Sequence, residues 1–98
     1  MEKVDVPLEV ARAVLFHFGD DKLGVEPGSF VTRLLSTLSA ADETNRAKLH
    51  QVFPEYVYAF HCVQREYWGL EWLRSKVKAA EVPDRSRPVD LFESAAQS

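Results

Sequence analysis

Apolar residues recur at helical spacing through the first 80 positions of this chain and then thin out. In PLEVARAVLFHF, Leu8, Ala11, Leu15 and Phe18 fall at the spacing of an amphipathic helix, with Pro7 suited to a first turn and Gly19 to a stop. The following GDDKLGVEPG holds three glycines and a proline, so it predicts a loop. A second helix is predicted in EPGSFVTRLLSTLSAAD, where Val31, Leu34, Leu35 and Leu38 form a continuous stripe and Ser29 is placed to cap the start.

Asp42 opens a capping pattern for a short third helix whose apolar face is read as Ala47, Leu49 and Val52. Pro54 would break that helix but is favoured in the first turn of a new one, so the chain is divided at Phe53. The fourth helix then carries Tyr56, Val57, Phe60, Val63 and Tyr67 on its buried side. Gly69 reads as a kink, after which Leu70, Leu73, Val77 and Ala80 resume the stripe. From residue 81 the composition turns to prolines and alternating charges, with Val89, Leu91 and Phe92 as apolar exceptions. No strand-like alternation is long enough for a sheet. The expected fold is therefore all-α: a compact bundle of four to five short helices over residues 1–80, followed by a weakly ordered tail over 81–98.

A core drawn from 98 residues supplies only about 5–10 kcal/mol of net stability, so a homodimer that buries more apolar surface is kept open. The formal charge of −3 argues against a protein devoted to neutralising phosphates. The bases of residues 61–98, namely Arg65, Arg74, Lys76, Lys78, Arg85 and Arg87, are concentrated in one stretch, but Glu66, Glu71, Glu81 and Asp84 are interspersed. One cysteine, Cys62, excludes both an internal disulfide and a zinc finger. With no export-type apolar region near the first residues and no membrane-length apolar run, a cytoplasmic protein without a membrane role is expected.

Candidate chemistry is sparse. His50 and His61 would share a face only if the helix ran through Pro54, and neither has an acidic or thiol partner at matching spacing, so no metal site is expected. His17, Asp20 and Asp21 hold the minimum for acid–base work or a weak cation site, but a histidine at a helix end and an Asp-Asp turn are the plainer reading. Cys62 is placed away from the stripe of Val57 and Phe60, as a surface or interface cysteine lacking the oriented base that a nucleophile needs. The glycines do not have phosphate-loop spacing, and no cofactor is expected.

Residues 53–72 hold seven of the eleven aromatics, and there the helical phase becomes informative. Tyr58 projects opposite Val57 and Phe60, and Trp68 and Trp72 form an i, i+4 pair off the leucine stripe. With Arg65 and Lys76 beside them they have the composition of interface anchors. The expected binding residues are therefore Tyr58, Arg65, Trp68, Trp72 and Lys76, on a non-enzymatic module that contacts a protein partner or a second copy of itself. Rings beside bases also suit single-stranded nucleic acid, so a nucleic-acid-associated regulator using residues 74–87 is the alternative, weakened by the net negative charge.

Residues 26–59 resemble small proteins of actinobacterial phages. The likeness rests on a Pro27-Gly28-x-Phe30 helix start, an Ala41-Asp42-x-x-Asn45 junction and a Phe53-Pro54-x-Tyr56-Val57 helix start. It covers about a third of the chain and rests on structural positions. It implies a compact helical phage product acting in the host cytoplasm, with no general activity attached. After Gln64 the chain departs from that pattern, in the aromatic run EYWGLEW.

Overall fold

The computed structural model describes residues 2–81; of the expected tail over 81–98, Glu81 is the last residue of the fifth helix and the rest lies outside the described residues. Five helices run in chain order: α1 (Leu8–His17), α2 (Ser29–Ala40), α3 (Glu43–Val52), α4 (Pro54–Arg65) and α5 (Gly69–Glu81). No strand occurs among the described residues, so the all-α bundle is the observed fold.

The helix ends follow local chemistry. Gly19 adopts φ +98°, a left-handed conformation that costs glycine little and stops α1 where the sequence places the stop. Asp42 caps α3 by accepting the Asn45 amide at 2.8 Å, and Pro54 occupies the first turn of α4, where its missing N–H costs nothing. Ser29 does not cap α2. Gly28 holds the cap position without a side-chain bond, and Ser29 is already inside the helix.

Helix α4 is the centre of the bundle, packed by α1, α2, α3 and α5. Being covered on several sides, it buries Val57, Tyr58, Ala59 and Phe60 in succession, and a helix so surrounded has no single apolar stripe. That packing corrects the reading of Tyr58 as outward-facing: the ring belongs to the core cluster with Leu35, Leu38, Leu73 and Val77. Cys62, read as a surface residue, is buried in the same cluster.

Two further faces differ from the periodic reading. α1 buries Val10, Ala11, Ala13, Val14 and Leu15, whereas Leu8 and Phe18, the ends of the expected stripe, are exposed. Helices α2, α4 and α5 pack around α1 and widen the buried arc at its middle, whereas its ends are only partly covered. In α3, Ala47 and Val52 are exposed, and the inward positions are Arg46, Leu49, His50 and Phe53 at i, i+3, i+4 and i+7. Helical geometry thus puts an arginine, at 3% exposure, where the hydrophobic pattern alone offers no reason to look.

Candidate interaction surface

The candidate surface is the corner between α4 and α5. α4 ends at Arg65, and Glu66 leaves the helix at φ −111°, ψ 134°. Two backbone bonds hold the turn, from the Glu66 amide to the Cys62 carbonyl and from the Gly69 amide to the Glu66 carbonyl, each 3.0 Å. Gly69 is buried against α4: a Cβ there would overlap the Cys62 carbonyl and lie 2.8 Å from the Val63 Cα. The glycine is thus a close-approach device that ends one helix and begins the next, where the sequence suggested a kink within one.

This tight corner sets the aromatic side chains. Tyr67 is 97% exposed, which corrects its expected burial on α4, and Trp68 beside it is 39% exposed. The helical phase that assigned Tyr67 to the core ends with α4 two residues earlier. Inward from Trp68 runs a chain of edge-on rings. Trp68 meets Trp72 with centroids 5.9 Å apart and an interplanar angle of 87°, and Trp72 meets Tyr58 at 5.9 Å and 88°. Trp72 is half-buried against the core cluster, so it carries packing as well as surface. The Lys76 ammonium sits 5.6 Å from the centroid of the Trp72 ring. Of the residues expected to bind a partner, Trp68, Trp72 and Lys76 are brought together, and Tyr58 supports them from beneath. Arg65 is exposed at the end of α4 but is tied to Glu43 of α3 by a 2.7 Å ion pair.

Of the other candidate groups, Asp20 and His17 are engaged structurally. Asp20 accepts the Lys22 and Leu23 amides and Nε of Arg74, the last at 2.8 Å. The Leu23 amide and the Arg74 guanidinium hold its carboxyl below the usual carboxylate range. His17 shares a 3.2 Å hydrogen bond with Ser39, and burial lowers its proton affinity. Asp20 thus staples the α1–α2 loop to α5, and His17 ties the end of α1 to α2. Burial pushes the Cys62 thiol up, a tendency opposed by its hydrogen bond with Tyr58 and contrary to what a nucleophile needs. Among the described residues no group of three or more His, Cys, Asp or Glu side chains is arranged for a metal. No helix among them is long and apolar enough to cross a membrane.

Within the described residues the basic stretch over 74–87 has two of its three cations engaged, and Lys78 is exposed. Arg74 is bound by both Asp20 and Glu71, and Lys76 lies over Trp72; Arg85 and Arg87 lie outside the described residues. Buried Arg46 donates from Nη2 to the Leu38 carbonyl at 2.8 Å and lies 5.6 Å from the Phe60 ring centroid, while its Nε and Nη1 have no hydrogen-bond partner.

Comparison with protein-family models, with curated proteins and with solved structures finds no match for this chain.

Proposed function

We propose that this protein is a non-enzymatic protein–protein interaction module whose contact surface is centred on Tyr67 and Trp68. The observation that carries this reading is the nearly complete exposure of Tyr67 beside a partly exposed tryptophan, on a corner fixed by a backbone contact at Gly69. Tyrosine and tryptophan bring large contact areas with few rotatable bonds, so a rigid corner loses little side-chain entropy when it docks. Trp72 and Lys76 extend the surface from beneath, and function is by occlusion or recruitment.

The resemblance of residues 26–59 to small actinobacterial phage proteins supports a partner in the bacterial host cytoplasm. A second copy of the chain is the alternative occupant of the same surface. The test is affinity capture from an actinobacterial lysate with the wild-type chain and with a Tyr67→Ala/Trp68→Ala variant, together with the solution mass of each. A protein retained at least tenfold better by the wild type, or a wild-type dimer that the variant loses, supports the reading. Identical capture and identical monomer mass, with an unchanged far-ultraviolet spectrum, would refute it.

A further inference from the structure

Helix α3 is held to the bundle less firmly than its neighbours. It packs substantially against α4 alone, whereas α1 meets α2, α4 and α5. A cleft of about 450 Å³, whose lining includes Thr37, Ala40, Asn45, Lys48 and Leu49, opens between it and the end of α2. The one fully buried residue of α3 is Arg46, and Leu49 and His50 are half-buried beside it. A helix of ten residues with so little apolar surface to bury has small stability of its own. Non-helical residues flank it, Ala41 and Asp42 before and Phe53 after, so it can turn without unwinding α2 or α4.

The attachment of α3 to α4 is largely polar, and its charges are one-sided. Arg46 donates from Nη2 to the Leu38 carbonyl and lies over the Phe60 ring, but its Nε and Nη1 are buried without a hydrogen-bond partner, as is Nδ1 of His61 on α4. Leaving donors of a buried cation unpaired is costly. His61 and Arg65 stand one turn apart and share a face of α4. Burial first, then Arg65, Arg46 and the amino terminus, disfavour the charged imidazole; the carboxylate that opposes them, Glu43, is already bound by Arg65 at 2.7 Å. Of the other helices on α4, α1 brings His17 against Phe60, α2 brings the Leu38 carbonyl to Arg46, and α5 faces α4 with Trp72.

Protonating His61 in the closed bundle therefore adds a cation beside two guanidiniums. Once α3 moves away, the imidazole meets water and takes up its proton near the ordinary histidine value of about 6.5. The open arrangement binds more protons, so opening is least favoured above about pH 6.5 and grows as pH falls below it.

We propose that α3 is an acid-released latch: protonation of His61 between Arg46 and Arg65 frees α3 from α4 and uncovers the face of α4 beneath Arg46, while α1, α4 and α5 stay packed. The device acts locally, before the bundle as a whole unfolds.

Hydrogen exchange of the full chain, read amide by amide at pH 7.5 and pH 5.5 and corrected for intrinsic rates, tests the latch. Between the two pH values the amides of residues 47–52 should lose protection by about three- to tenfold relative to Leu15 of α1 and Leu73 of α5. His61→Gln should remove that relative loss, and His17→Gln should leave it in place. Glu43→Gln, at an exposed position, takes away the opposing carboxylate without entering the interface and should enlarge the loss in acid. Amides of α3 that exchange in step with Leu15 and Leu73 at both pH values overturn the proposal. So does a loss that survives His61→Gln, one that His17→Gln abolishes, or one that Glu43→Gln leaves unchanged.

Discussion

Substituting Gly69 with alanine should unfold the aromatic corner from the inside. The added methyl carbon would overlap the Cys62 carbonyl and stand 2.8 Å from the Val63 Cα, both backbone groups with no rotamer to escape into. Carbon atoms in contact normally rest about 3.5–4.0 Å apart, so α4 and the start of α5 must separate by roughly 1 Å. Overpacking of that kind costs about 3 kcal/mol, and alanine's better helix propensity returns at most ~1 kcal/mol, leaving a net loss of about 2 kcal/mol. For a domain of this size that loss lowers the melting temperature by roughly 8–16 °C. Gly28→Ala is the control: its Cβ would meet nothing within 4 Å, and φ is an ordinary −67°. It should be neutral or stabilising by up to about 1 kcal/mol. Paired denaturant melts followed by circular dichroism measure both. A Gly69→Ala protein within 0.5 kcal/mol of wild type, a margin of the order expected for inconsequential surface changes, would refute the close-packed corner.

Three further outcomes are expected. Arg46→Met should stabilise the fold by about 1–2 kcal/mol in a denaturant melt, because it removes a buried cation with two unpartnered nitrogens; a loss above ~1 kcal/mol would mean that the Leu38 bond and the Phe60 contact outweigh the burial cost. Cys62, buried with its thiol pushed up, should resist iodoacetamide in the native protein and react at the rate of a free thiol once denatured; rapid native labelling would contradict its burial. His17 and His61 are held below the ordinary histidine value of about 6.5, His17 by burial and His61 by burial with the nearby Arg65 and Arg46 charges. The unfolded chain then binds more protons, so stability is full above about pH 6.5 and falls as pH drops toward the folded values. Asp20, depressed below the usual carboxylate range, adds stability that is lost only at still lower pH. The denaturant midpoint should be higher at pH 7.5 than at pH 5.5, with a smaller difference in His61→Gln; a flat or inverted profile contradicts the account.

The sequence marked the helices where a local group does the work. Gly19, Asp42 and Pro54 act within one turn of their own positions, and α1, α3 and α4 stop or start beside them. It was weaker wherever neighbours decide. Tyr58 looked outward because a single stripe was assumed, yet α4 is covered on several sides; Arg46 took the inward place because the register of α3 against α4 selected it. The proposed contact surface is half legible in the sequence. Trp68 is off the leucine stripe and exposed, as its phase implies, but Trp72 leans on the core and Tyr67 was missed. Its exposure follows from ending the helix at Arg65, and the contact that forces that ending joins residues of two helices, invisible to periodicity along one.

A photoreactive amino acid placed at position 67, with a second at exposed Ala47 on α3 as the reference, examines the contact surface in the cells that make the protein. Illumination is expected to give a discrete covalent adduct from position 67, either with another protein or with a second copy, and none from position 47. No adduct from position 67, or the same adducts from both positions, would contradict the assignment of the Tyr67–Trp68 corner as the surface through which this protein acts.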